Sequence, residues 1–161
     1  MDDKEYLPKV SIIIVNLNGK KWLEKCLPSV INSNYPRDKI EIILVDNGST
    51  DGSVDFARHL LQNEQIEHKV IENKENRGWS PANNQGAEVA SGEILIFLSN
   101  DMEVDRNWIK EAIKIFYLDP KAGVIQYNSI SMWDRKTIDS VSYTHLRAHE
   151  TRHDLVCRLL L

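Results

Sequence analysis

The chain has 161 residues, 42% of them hydrophobic and 27% charged, with a formal net charge of -4 at pH 7. This composition suits one ordinary globular domain with a core of its own; it excludes a disordered tail, a collagen-like fibre and a coiled coil. No apolar run approaches the roughly 18 residues of a membrane span, and no basic block offers a surface for nucleic acid. Two cysteines, Cys26 and Cys157, fit no metal-ligand spacing, and the acidic start Met1-Asp2-Asp3-Lys4-Glu5 is not a secretory signal. The expectation is a protein of the reducing cytoplasm without a transmembrane segment, peripheral at the inner face of a membrane at most.

The predicted elements alternate between two periods. Val10 to Val15 is a β-branched run that suits a strand buried on both faces, and it ends on Asn16-Leu17-Asn18-Gly19. Trp22, Leu23, Cys26, Leu27 and Val30 then recur at helical spacing up to Asn32-Ser33-Asn34 and Pro36. A second buried strand, Ile40 to Val45, stops on Asp46-Asn47-Gly48-Ser49. Asp51 or Ser53 is placed to cap a helix carrying Val54, Ala57, Leu60 and Leu61. A weak strand at His68 to Glu72 leads through a loop to a helix over about Pro81 to Ala90, with Pro81 in its first turn. Glu93 to Leu98 is the fourth strand, followed by Ser99-Asn100-Asp101-Met102-Glu103. Asp105 is placed to cap a helix carrying Trp108, Ile109, Ala112, Ile113 and Phe116, and Gly123 to Tyr127 suits a fifth strand.

Strands and helices in this rhythm predict an α/β fold, an open, mainly parallel sheet flanked by helices. Ligands of such sheets bind beyond the carboxyl ends of the strands, at a switch in strand order. Three strands end there in polar loops: Asn16 to Asn18, Asp46 to Ser49 and Asn100 to Glu103. Residues 1–140 form the expected domain. Residues 141–161 break its composition, with three arginines, three of the five histidines and no lysine. They are expected to pack poorly, as a tail foreign to the domain. In that tail, His149-Glu150-Thr151-Arg152-His153 formally matches H-E-x-x-H. A helix rises about 6 Å over four residues, so His145, His149, His153 and Cys157 spread too far to share one ion.

The loops limit the chemistry. No G-x-x-x-x-G-K-[ST] occurs and no G-x-G-x-x-G follows the first strand, which speaks against a P-loop nucleotidase and a Rossmann dehydrogenase. The clustered acids that a receiver domain needs after its first strand are also missing. Asp46 closes a buried strand, where a carboxylate needs bonded partners, beside Gly48 and Gly52, where backbone can approach a ligand. A turn with a helix cap accounts for the same residues equally well. Asp101 and Glu103 stand at i and i+2 on a loop of the same sheet edge. Such a pair can share Mg²⁺ or Mn²⁺ with substrate phosphate oxygens, and it also fits a solvated acidic turn.

Four segments in order, Val10-Ser-Ile-Ile-Ile-Val-Asn-Leu-Asn-Gly19, Ile43-Leu-Val-Asp-Asn-Gly-Ser-Thr-Asp-Gly-Ser53, Asn76-Arg-Gly-Trp-Ser-Pro-Ala-Asn-Asn-Gln-Gly86 and Gly92-Glu-Ile-Leu-Ile-Phe-Leu-Ser-Asn-Asp-Met-Glu103, resemble the nucleotide-sugar-binding half of a family 2 glycosyltransferase of GT-A fold. The likeness is strongest to its rhamnosyltransferase-like branch and covers about Pro8 to Tyr127. It implies a Rossmann-like nucleotide-diphospho-sugar transferase fold, truncated here. It also implies a UDP- or dTDP-sugar donor, a saccharide or lipid-linked acceptor, and metal-dependent inverting transfer.

The resemblance further implies that Val15, Asn16 and Leu17 line the base pocket and that Asp46, with Asn47 beside it, bonds the uracil or thymine ring. Arg77 faces base or phosphate, or else lies on the surface over Trp79. Asp101 and Glu103 form the D-x-D metal motif, with Asn100 placed before it on the donor side. The family's general base, an acid of the acceptor-binding half, has no counterpart in a recognisable motif; Asp134 and Asp139 are the late acids before the composition break. The expectation for the chain as given is donor and metal binding without sugar transfer.

Overall fold

Val10, Ile12, Ile13 and Ile14 have no exposed surface, and neither do Ile42, Ile43, Leu44 and Val45. Strands buried on both faces in this way belong in the centre of a parallel sheet. The computed structural model describes residues 6–119, 121–125, 127, 129–130 and 138–140, the last two stretches as backbone. Its elements are β1 (Val10–Asn16), α1 (Lys20–Ile31), β2 (Ile40–Asp46), α2 (Ser53–Gln62), β3 (Glu67–Glu72), α3 (Trp79–Glu88), β4 (Ile94–Ser99), α4 (Trp108–Leu118), β5 (Ser129–Ile130) and β6 (Ile138–Ser140).

The main sheet has the order β3-β2-β1-β4, with every neighbouring pair parallel. Alternation along the strands gives it two apolar faces. Ile12, Ile14, Ile42, Leu44 and Ile96 meet Leu23, Cys26 and Leu27 of α1, Ala57 and Leu61 of α2, and Trp108, Ile109 and Ile113 of α4. Ile13, Ile43, Val45 and Leu95 face Ala82 of α3 on the other side. A methyl group at Gly86 would stand 2.5 Å from Ile13 Cγ2, so α3 lies flush on the sheet because this helix residue has no side chain.

The chain steps outward from β1 to β2 and β3, then returns through α3 to place β4 on the far side of β1. That reversal puts the crevice of a doubly wound sheet at the carboxyl ends of β1 and β4. The register brings Asn16 opposite Asp46 and Val15 opposite Ser99.

The opposite end of the sheet is closed by a buried charge. Glu41 is fully buried and accepts hydrogen bonds from the Ser11 hydroxyl, from Lys69 Nζ at 2.5 Å and from the Ser91 N–H at 2.8 Å. Burial alone would raise its pKa; these donors outweigh it and hold the carboxyl down to about 2.

Several boundaries differ from the sequence reading. Gly123, Val124, Ile125 and Tyr127 are not in a strand. Instead β5 pairs antiparallel with β6, Ile130 opposite Ile138. Tyr127 is turned onto α4, its ring 5.6 Å from that of Trp108 and its hydroxyl donating to the Trp108 carbonyl. The helix caps are also shifted. Gly52, in the left-handed region, precedes α2, while Asp51 accepts from Ser53 N–H and from its hydroxyl. Asn107 precedes α4, with Asp105 accepting its N–H. Pro81 is the third residue of α3, still within the first turn. Asp134 and residues 141–161, with the H-E-x-x-H run, lie outside the described residues. Among those described, no helix is long and apolar enough to cross a membrane.

Candidate functional site at the carboxyl edge

Asn16 is the hub of the carboxyl edge. Its amide nitrogen donates to Asp46 Oδ1 at 2.9 Å, Ser53 Oγ at 2.9 Å and Ser49 Oγ at 3.1 Å. Its amide oxygen accepts from Asn100 Nδ2 at 2.7 Å. One side chain at the end of β1 thus joins the loop after β2 to the loop after β4.

Asp46 is 2% exposed and fully engaged. Oδ1 accepts from Asn16 and from the Ser49 hydroxyl at 2.6 Å; Oδ2 accepts from Gly48 N–H at 3.1 Å and Ser49 N–H at 2.7 Å. Two bonds per oxygen is the ordinary acceptor capacity of a carboxylate. Its occupied lone pairs explain why a buried acid is tolerated here. Gly48 is required by the turn, since its φ is +87 and its backbone lies against Glu75.

Two further contacts stiffen the edge. Asn18, a non-glycine residue at φ +48, donates its N–H to Ser49 Oγ and accepts Thr50 N–H on its side-chain oxygen. Asp51 accepts Lys20 N–H at the start of α1, besides its bonds to Ser53. These donors hold its pKa below the usual carboxylate range against the opposing effect of burial.

Asn47, also buried, carries the frame to the loop before α3. It donates to Asn76 Oδ1 and to the Gly78 carbonyl, both at 3.2 Å, and accepts from Asn73, which pairs with Gln85. Arg77 projects from this anchored loop as an exposed residue, next to the exposed Trp79. Val15 is half-buried and Leu17 exposed on the β1 side.

Asp101 and Glu103 are exposed on the turn after β4, which is closed by Met102 N–H on the Ser99 carbonyl. Beneath them Cys26 of α1 contacts the Ser99 carbonyl through Sγ at 3.8 Å. Burial, with the negative charge of Asp101 added, pushes its thiol up to about 12. Among the described residues no cluster of three or more His, Cys, Asp or Glu could hold a metal ion. Two accessible hard carboxylates fit Mg²⁺ or Mn²⁺ that keeps water and substrate oxygens; they do not fit a closed protein cage.

The structure therefore connects Asn16, Asp46, Asn47 and Asn100 directly, and places Val15, Leu17, Arg77, Asp101 and Glu103 on the loops around them. Sequence reasoning missed Ser49 and Ser53, whose hydroxyls complete the network, together with Asn18 and Gly19. The run Asp46-Asn-Gly-Ser-Thr-Asp-Gly-Ser53 contains that signal, but its sequence reads equally well as a ligand loop and as a turn with a helix cap, and neither reading singles out the serine hydroxyls.

A parallel sheet with its polar loops gathered at the β1–β4 switch is the architecture of the GT-A glycosyltransferases, and solved structures of that class superpose on it. A mannosyltransferase of Pyrobaculum calidifontis, solved in complex with GDP-Man and Mn2+, is 29% identical with a TM-score of 0.69, over 76% of this chain and 37% of that one. Staphylococcus aureus TarS 1-349 in complex with UDP-GlcNAc shares the fold with a TM-score of 0.70 at 21% identity, over 78% of this chain and 36% of that one.

Residues 11–156 match the model of glycosyl transferase family 2, and the chain belongs to that family. Among curated relatives, the glycosyltransferase AglE of Haloferax volcanii is 37% identical over 107 residues, 66% of this chain and 35% of that protein. The chain spans about a third to two fifths of the length of the first relatives it matches.

Proposed function

We propose that the carboxyl edge of β1, β2 and β4 binds a nucleoside-diphosphate sugar and that the protein transfers its sugar to an acceptor hydroxyl with inversion and with a divalent metal. The observation that carries this reading is the Asn16 hub, which joins the Asp46 loop and the Asp101 loop into one edge at the switch point. The expected rhamnosyltransferase-like branch is retained, on the Asn100-Asp101-Met102-Glu103 pattern.

Val15 and Leu17 would flank the base. Asp46 would act mainly by shaping the loop, because its oxygens already hold four protein donors; a base N–H reaching it shares one of them. Arg77, exposed between Asn76 and Gly78, which are anchored to Asn47, would meet base or phosphate unless it lies over Trp79. Asp101 and Glu103 would hold Mg²⁺ or Mn²⁺, which when bound supplies charge neutralisation at the diphosphate leaving group. An acceptor, saccharide or lipid-linked, also needs a base to take the proton of its attacking hydroxyl. None of the residues named above is assigned that role. Residues 1–140 would constitute the donor-binding unit.

The test is calorimetric titration of UDP, dTDP and GDP with and without Mn²⁺, in the chain and in Asp101→Ala. Metal-dependent binding that Asp101→Ala removes, with the fold intact by circular dichroism, is the expected result. Equal affinity in the variant with Mn²⁺ present refutes the metal assignment. Donor hydrolysis measured alongside separates a transferase from a domain that only binds.

A further inference from the structure

The hydrogen bond between Asn16 and Asn100 has a direction that the surrounding groups dictate. The Asn16 amide nitrogen faces Asp46 Oδ1, an acceptor only. It also faces Ser49 Oγ and Ser53 Oγ, whose own protons go to Asp46 and Asp51. All three groups on that side accept, so the NH₂ end belongs there and the Asn16 oxygen must point toward β4. The residue at position 100 must then donate, as the Asn100 amide does at 2.7 Å. A carboxylate in its place would set two acceptors against each other in a part-buried position.

Gly19 shows how closely this bond is covered. A methyl group there would lie 2.2 Å from Asn100 Nδ2 and 2.5 Å from Asn16 Oδ1. Its φ of -112 is open to any residue, so conformational freedom does not explain the glycine. Close approach does: the start of α1 sits directly on the Asn16–Asn100 bond.

We propose that this relay, Asp46 to Asn16 to Asn100 under Gly19, couples the nucleoside loop to the turn that carries Asp101. Asn16, Asn100 and Gly19 are positioning residues for the metal-bearing turn. They fix the height of Asp101 relative to the Asp46 loop, so a nucleoside diphosphate meets both at once. The proposal rests on the reading of Asp101 as a metal carboxylate.

The experiment is a linkage measurement by calorimetry, using uridine, UDP and UDP with Mn²⁺ on the wild-type chain, Asn100→Asp, Asn100→Ala and Gly19→Ala. In the wild type, Mn²⁺ is expected to raise UDP affinity at least tenfold and to leave uridine affinity unchanged. In each variant the Mn²⁺-dependent gain for UDP, read as the ratio of its affinities with and without Mn²⁺, is expected to fall at least fivefold, whatever the change in uridine affinity. The side-chain amide protons of Asn16 are expected to exchange slowly by NMR in the wild type and faster in Gly19→Ala. Variants that keep the full gain overturn the coupling and leave the metal reading standing. A wild type with no gain overturns the metal reading and the coupling with it. Asn100→Ala, which removes the donor without adding a charge, serves if Asn100→Asp does not fold; a full gain in it and in Gly19→Ala is decisive against the relay.

Discussion

Replacing Asp46 by alanine removes the acceptor for four donors: Gly48 N–H, Ser49 N–H, the Ser49 hydroxyl and Asn16 Nδ2. A stranded donor costs about 1–3 kcal/mol when water cannot replace its partner. Asn16 retains the Ser49 and Ser53 oxygens, and Gly48 and Ser49 are half-buried, so part of the loss is recovered. The equivalent of roughly two stranded donors remains, or about 2–6 kcal/mol. Against a total stability of about 5–15 kcal/mol, that is a large fraction. Urea unfolding followed by circular dichroism should show a lower midpoint at unchanged slope, and uridine binding should weaken in the molecules that stay folded. Asp46→Asn, which keeps the shape but turns one oxygen into a donor, should fall between alanine and wild type. A change of stability below about 0.5 kcal/mol, the range of ordinary surface substitutions, would refute the four-donor argument.

Glu41 predicts a pH dependence. Its folded pKa of about 2 lies below the ordinary 4.5, so its contribution is fully present above pH 4.5 and is lost as pH falls toward 2. The contribution is about 3 kcal/mol, and melting temperature measured against pH should flatten across that window in Glu41→Gln. Gly86→Ala should lower the melting temperature: a methyl 2.5 Å from Ile13 Cγ2 overpacks the α3–sheet contact by about 1–3 kcal/mol, against a helix-propensity gain of about 1 kcal/mol. Cys26, buried and with its thiol pushed up to about 12, should resist alkylation at pH 8 in the folded chain and react in urea. Peptide mapping of the labelled chain measures that difference.

What was legible in the sequence, and what was not, follows from the range of each signal. Short β-branched runs and period-3.6 patterns placed the four parallel strands and their helices, because Val10–Val15 and Ile40–Val45 have to be buried on both faces. Polar endings marked Asn16, Asp46 and Asn100 as residues of one edge. Which atoms meet depends on register, and Asn16 opposite Asp46 is a fact of pairing that no local pattern contains. Gly19 was legible only as the single glycine of a loop where a dinucleotide fold needs three; its use lies in a contact with Asn100, 81 positions on. Gly123 to Tyr127 has the composition of a strand, but Tyr127 is captured by Trp108 of α4. Glu41 went unremarked inside an apolar run, although an acid between Ile40 and Ile42 in a strand buried on both faces requires partners.

The central claim is that the β1–β4 switch edge holds the nucleoside diphosphate and its metal, and an NMR titration of the ¹⁵N-labelled chain tests it most directly. With UDP and Mg²⁺, shifts should concentrate at Val15 to Gly19, Asp46 to Ser53, Asn76 to Trp79 and Asn100 to Glu103, with GDP and dTDP as further arms. Traces of Mn²⁺ should then broaden resonances around Asp101 and Glu103 and leave Lys9, Glu41, Lys69 and Ser91 at the opposite edge sharp. Shifts centred on that opposite edge, or none with any of the three nucleotides at millimolar concentration, would contradict the account.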